Sequence, residues 1–323
     1  IQKRETYMSN ATPDRLGQIN LAGDTDATFL QVFSGEVITA YDETNVMDNL
    51  HFTRAIEHGK SASFPMTGKI GAGYHTPGVM LLGSQKMAKN EMIISVDDLL
   101  VSDAFIANID EAKAHVEYRQ EYSRQIGAAL ARAKDKRCLQ TAILAARASA
   151  IVTGMPGGST IVAATAKTDG LVLANAISEA AVALDEKDVG EDGRSIILKP
   201  AQTHLLGRTP DVISRDVNDK GSLSVAGYVG EIDGVTVVKS NNVPQGVVAA
   251  AAGENNTYDG DFSGVVGVVM RRGAIGTVKL LDLSIQMTGN DFAVTHQGTL
   301  IVGKYLQGHG ILNPAEAVEI VIA

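Results

Sequence analysis

The nearest approach to catalytic chemistry is Gly298-Thr299-Leu300-Ile301-Val302-Gly303-Lys304-Tyr305, which has the glycine and lysine spacing of a phosphate-binding loop. Such a loop works by aiming backbone N–H groups and one ammonium at phosphate oxygens, with a Ser or Thr after the lysine to hold magnesium. Tyr305 occupies that last place, and the residues between the glycines are β-branched or apolar, so the run reads as a strand. Gly71-Ala72-Gly73 opens like a dinucleotide fingerprint, but Thr76 stands where the third glycine belongs, and the run lies inside a hairpin instead of opening a helix. There is no Gly-x-Ser-x-Gly elbow, no His-Glu-x-x-His, and no second cysteine to make a zinc pair with Cys138.

The seven histidines, His51, His58, His75, His115, His204, His296 and His309, are scattered without ligand spacing, and each reads as a surface or satisfied structural residue. Glu254, Asp259 and Asp261 offer the hard oxygen donors calcium needs, but their spacing fails the EF-hand pattern and favours a solvated acidic loop. Arg271-Arg272, at a strand end, is better placed to meet carboxylates on a neighbouring surface than phosphates. Cys138 sits in an Ala-rich helical stretch and reads as a small core residue. The expectation is a protein without catalytic, cofactor-binding or metal-binding residues, and not an enzyme.

The elements that would have positioned such groups are those of a large folding chain. Its 323 residues allow one elaborated domain or two smaller ones, and 45% hydrophobic with 20% charged residues is a folding composition. Aromatics make up 5% and Trp is absent, while 33 glycines favour thin packed layers and tight turns over an aromatic ligand pocket. A formal net charge of −9 argues against a protein built to neutralise nucleic-acid phosphates. A single cysteine excludes an intrachain disulfide framework and fits a reducing compartment. No apolar run approaches the roughly 20 residues of a membrane span, and no signal peptide is visible, so no membrane association is expected. Met8-Ser9-Asn10 reads as a translation start, which leaves residues 1–7 out of the fold argument.

Ser61 to Tyr74 alternates apolar with small or polar residues and reads as one long strand. Pro65 confines it to an edge or a protruding ribbon, Thr76-Pro77-Gly78 turns it, and Met92 to Val96 returns. A ribbon of two strands is marginal alone, so it reads as an arm meant for a neighbouring subunit. Residues 8–28 read as an extended N-terminal arm, tacked down by a short helix around Phe29 to Val37. From Asp110 to Ala148 there is no proline and one glycine, Gly127, and good helix formers dominate, with Ile126, Leu130 and Ala133 on one stripe. A helix of that extent would run roughly 55 Å and needs an elongated body to support it.

After Met155-Pro156-Gly157-Gly158 the style changes. Leu173, Ile177, Ala180 and Leu184 mark an amphipathic helix, Ser195 to Leu198 a buried strand, Pro200 to Leu206 a short helix, and Gly227 to Val238 a strand, turn and strand. Residues 245–263 read as a surface loop, and Gly264–Met270, Leu280–Gln286, Thr299–Tyr305 and Glu319–Ile322 as further strands of an α+β fold.

Five runs in this frame resemble the major capsid protein of short-tailed, autographivirus-type tailed bacteriophages: Phe29 to Tyr41, Gly59 to Gly78, Tyr118 to Leu130, Ala274 to Leu283 and Gly303 to Pro314. The resemblance implies the Hong Kong 97-type capsid fold. Its parts would be an N-terminal arm at 1–53, an extended β-hairpin loop at 54–106, a peripheral domain with the spine helix at 107–165 and an axial domain at 166–265. Returning strands at 266–323 would complete both domains. It further implies self-assembly into hexamers and pentamers of an icosahedral head around double-stranded DNA. The implied partners are a scaffolding protein, a portal protein at one vertex, weakly held DNA and decoration proteins, with assembly in the host bacterial cytoplasm. Some relatives of this fold join lysine to asparagine covalently, and Lys60, Lys69 and Lys86 lie in the loop. The resembled phages do not use that link, so noncovalent closure is expected. Alternative readings are an encapsulin-type shell around cargo enzymes and a cytosolic nucleotide-binding α/β enzyme.

Overall fold

In the computed structural model the described residues are 45–81, 83, 86–107, 119–209, 230–287 and 295–322. The arm before Asn45 with its short helix, residues 110–118 of the long helix, His115 and the strand start at Gly227 lie outside them. The strands are β1 (Phe52–Ala55), β2 (Ser61–Thr67), β3 (Lys89–Ser95), β4 (Leu100–Ala107), β5 (Ser159–Val162), β6 (Arg194–Leu198), β7 (Glu231–Ile232), β8 (Val235–Lys239), β9 (Val247–Val248), β10 (Gly260–Asp261), β11 (Val265–Arg271), β12 (Ile275–Met287), β13 (Gly298–Ile311) and β14 (Ala317–Val321). The helices are α1 (Arg119–Arg147), α2 (Gly170–Asp185) and α3 (Pro200–Leu206). The chain divides into two compact units, the first holding residues 99–132 and 281–305, the second 45–98, 133–280 and 306–323.

In the first unit β4 pairs antiparallel with β13, from Ala107 opposite Gly298 to Leu100 opposite Tyr305. Ile106, Ile126, Leu130, Ile301 and Tyr305 form its core, with Tyr122, Leu283 and Ile285 against them. Gly303 lets the helix close on the strand, since a Cβ there would lie 2.5 Å from Ile126 Cγ2.

The second unit is built on a six-stranded sheet in the order β5-β14-β11-β6-β8-β7. Every residue of β6 is buried, because the sheet is covered on both faces and successive side chains go to opposite layers. Ile196 and Leu198 join Leu173, Ile177, Ala180 and Leu184 of α2 in one layer. Ile197 joins Cys138, Leu139, Ala142 and Ile143 of α1 in the other. Asp169 caps α2 by accepting from Leu171 N–H at 2.9 Å, and Pro200 opens α3 in its first turn. The turn from β7 to β8 uses Asp233 and Gly234, both at positive φ (50° and 74°), as a two-residue hairpin requires.

The hairpin departs from expectation. Strands β2 and β3 pair from Ser61 opposite Ser95 to Thr67 opposite Lys89, so the strand ends at Thr67 and not at Tyr74. The apolar alternation continues, but Gly68, Gly71 and Gly73 weaken it and, among the described residues, no strand of the second unit pairs with it. Proline at the second position and Gly78 at φ 90° then form the expected turn, closed by Val79 N–H to Thr76 O at 3.2 Å. The base of the hairpin is seated by Ala62, Ile94, Val96 and Val278, with Phe64, Leu306 and Leu312 against them.

Residues 245–263 are also more than the expected surface loop. Strand β9 pairs with β10, and Tyr258 and Phe262 are buried to 1% and 0% exposure. Two isolated aromatics in a Gly- and Asn-rich run give no periodic signal, although burying each removes a large apolar area from water.

Candidate assembly surface

Beyond its paired base the hairpin segment 68–88 presents Ile70, Tyr74, Val79, Met80 and Leu81 to solvent, with Tyr74 wholly exposed. The same segment carries Lys69 and Lys86 and no carboxylate, in a chain of net charge −9. Grouped exposed apolar side chains on a projecting element mark a surface that another molecule covers. Within its own unit the segment is held by an ion pair, Lys69 Nζ to Asp188 Oδ2 at 2.6 Å, between side chains 60% and 78% exposed. Such an exposed pair contributes little, so it does not fix the segment.

Behind the hairpin lies a buried polar seam joining segments far apart in sequence. His51 Nδ1 meets Met47 O at 2.6 Å and His51 Nε2 meets Thr277 Oγ1 at 2.6 Å. Thr277 Oγ1 meets His309 Nδ1 at 2.8 Å, and Cys138 Sγ lies 3.4 Å from the same nitrogen. The His309 N–H donates to the Tyr258 hydroxyl at 2.9 Å, and that hydroxyl donates to Asp97. On the α1 side Asp135 accepts from the N–H groups of Val46 and Met47 at 3.0 and 3.1 Å, and the fully buried Lys134 pairs with Asp48.

Burial dominates the ionisation of this seam. It lowers His51 to about 4 and pushes the Cys138 thiol up to about 12. It also holds His309 well below the usual range, with the charges of His51, Lys134, Arg137 and Lys279 acting the same way, and it raises Tyr258 and Asp97. An unreactive thiol and two rings held neutral by satisfied bonds are structural chemistry; a catalytic thiol would be exposed and of low pKa.

The residues singled out by type do not converge. Gly298 to Tyr305 lies within β13 as a strand, with Lys304 Nζ on Gln286 Oε1 at 2.9 Å. Glu254 pairs with Arg137, and Asp261 accepts from Ser263 N–H at 2.9 Å, so these two serve as an ion-pair and a turn partner. Arg271 reaches the Asp192 carbonyl at 3.1 Å and Glu316 at 3.5 Å, and Arg272 reaches the His51 carbonyl at 3.4 Å, all within the same unit. His58, His75 and His204 are exposed and His296 half-buried. The coupling of His51 to His309 is the feature that spacing could not disclose, since the register of β12 beside β1 and the closure of β13 bring them together. Among the described residues no group of three or more His, Cys, Asp or Glu is arranged to hold a metal ion, and no helix is long and apolar enough to cross a membrane.

An α+β subunit with an exposed apolar hairpin and a helix of 29 described residues has the fold of a Hong Kong 97-type shell component. The capsid structure of cyanophage P-SCSP1u superposes with a TM-score of 0.80 at 37% identity, covering 98% of this chain and 99% of that one. The mature capsid subunit of bacteriophage PhiM1 shares the fold at a TM-score of 0.71 and 17% identity, over 94% of this chain and 95% of that one. The major capsid protein of Escherichia phage T7 is 32% identical over 322 residues, 92% of each chain. A family profile described as Gp10A-like, major capsid protein, matches residues 63–321, and the chain belongs to that family. It is a phage major capsid protein, a structural component of the virion capsid that associates with copies of itself.

Proposed function

We propose that copies of this chain form hexamers and pentamers which close an icosahedral head around double-stranded DNA. The observation that carries this reading is the hairpin segment 68–88, whose apolar side chains stand in water on a lone subunit and become buried when laid on a sister copy. Each such contact is modest, and a closed lattice makes the set strong through effective concentration. The assigned parts are the arm at 1–53, the loop at 54–106, the peripheral domain at 107–165, the axial domain at 166–265 and the returning strands at 266–323. Closure is noncovalent, and the chain carries no catalytic role. An acidic wall holds DNA weakly, which permits packaging and release. A scaffolding protein guides a precursor shell in the host cytoplasm and a portal protein occupies one vertex.

Electron microscopy of the purified full chain tests this. Closed particles containing nuclease-protected DNA from infected cells support it; a dispersed monomer under every assembly condition refutes it.

A further inference from the structure

The buried chain that ends on Met47 has its protons placed by its partners. His51 Nδ1 lies 2.6 Å from a carbonyl oxygen, which can only accept, so this nitrogen carries hydrogen and Nε2 is left as an acceptor. Thr277 Oγ1, 2.6 Å from Nε2, must therefore donate its hydroxyl hydrogen to it. The same oxygen then accepts from His309 Nδ1 at 2.8 Å. Three hydrogens fill three gaps in one direction, and the His51 ring is neutral.

A further proton on His51 Nε2 meets the hydroxyl hydrogen already in that gap. If Thr277 rotates to accept from both rings, its own hydrogen has only the weakly accepting Cys138 sulfur to turn to, in a site where Thr277 and His51 are 0% exposed and His309 3%. The surroundings offer little compensation. Lys134 and Arg137 of α1 and Lys279 of β12 oppose a positive charge on His309, and Asp48, engaged by Lys134, is the carboxylate facing His51. Cys138 from α1 and Tyr258, with Asp97 behind it, complete the enclosure.

We propose that the His51, Thr277 and His309 chain is an acid-sensitive lock inside the second unit, closed when His51 is neutral and opened when His51 Nε2 takes up a proton. Opening releases the side-chain tie from the segment at residues 45–51 to Thr277 of β12, while Asp135 and Lys134 of α1 keep their bonds to Val46, Met47 and Asp48. The sign follows from linkage. Both rings sit below the usual histidine value in the folded chain, so the lock's stability is fully present above pH about 6.5 and is lost as pH falls from there through the folded value, about 4 for His51.

The test uses the assembled full-length chain. Histidine C2–H exchange followed by mass spectrometry from pH 7.5 to 4 should show His51 and His309 exchanging slowly, with midpoints well below the usual histidine value. Amide protection at residues 46–51 should fall as His51 titrates. In a His309→Asn variant, the amide nitrogen takes the place of Nδ1 and can donate the same bond without titrating. Its melting temperature should lose about half of the histidine-linked fall between pH 7 and 4. Titration of His51 or His309 near 6.5 in folded particles, or amide protection at 46–51 unchanged as His51 titrates, would overturn the proposal. So would a His309→Asn melting profile parallel to that of the unaltered chain. The exchange measurement on the unaltered chain decides the matter even if the variant fails to fold.

Discussion

Arg147, the last residue of α1, donates through Nε and Nη2 to the two carboxylate oxygens of Glu319 on β14, at 2.8 and 2.5 Å. Glu319 is 1% exposed, so this fork satisfies a carboxylate that water cannot reach. The same guanidinium lies 5.5 Å from the centroid of the Phe262 ring and donates to the Asp261 carbonyl at 2.7 Å. One side chain thus fastens the end of the long helix to the sheet and to β10.

Replacing Arg147 by Met should destabilise the second unit by about 3 kcal/mol, because it leaves a buried carboxylate unpaired. Denaturant melts of the full chain measure this. An Arg147→Met, Glu319→Gln pair should recover part of the loss, and a recovery of nothing would show that the fork is not the source of the cost.

Gly158 and Gly154 should respond differently to alanine. A Cβ on Gly158 would lie 2.2 Å from the Ala146 carbonyl oxygen and 2.5 Å from that of Ala145, both fixed in the last turn of α1. Since neither backbone atom can yield, Gly158→Ala should cost on the order of 3 kcal/mol or more and lower the yield of folded chain. Gly154 has open space around it and φ 84°, so alanine there should cost only about 1 kcal/mol of backbone strain. Thermal melts of the two variants side by side check the ranking.

Tyr258→Phe keeps the ring and deletes a hydroxyl that receives His309 N–H and donates to Asp97. The buried N–H is then left unpaired, and a loss of about 1–3 kcal/mol is expected. Hydrogen exchange should show the His309 amide among the most strongly deprotected. Full protection there would mean that the hydroxyl is not its acceptor.

Much of the fold was legible and the reasons differ by element. Helices α2 and α3 and strand β6 fell where periodicity, a first-turn proline and a short apolar run put them, because each is decided by local pattern against one layer. The strand from Ser61 overran to Tyr74 because alternation reports which faces a chain would present, while pairing also needs a partner strand. Tyr258 and Phe262 were hidden in a Gly- and Asn-rich stretch, and the His51 to His309 seam was invisible because long-range closure creates it. The exposed apolar hairpin, by contrast, was legible from the sequence as a proline-bearing ribbon.

Ile70→Ser with Tyr74→Ser should leave the stability of the isolated chain within about 0.5 kcal/mol, since both side chains are exposed there. Shell formation, followed by light scattering and sedimentation, should drop at least several-fold. Unimpaired assembly of this variant would remove the hairpin from the list of holding contacts.

Cys138 is the single cysteine of the chain, fully buried and with a thiol that stays protonated at neutral pH. The native exterior is therefore blank to maleimide reagents. A cysteine introduced at an exposed place such as Val247 would become the sole addressable handle on each subunit, repeated with the symmetry of the container, so dyes or cargo could be mounted at one defined stoichiometry without first removing a native thiol.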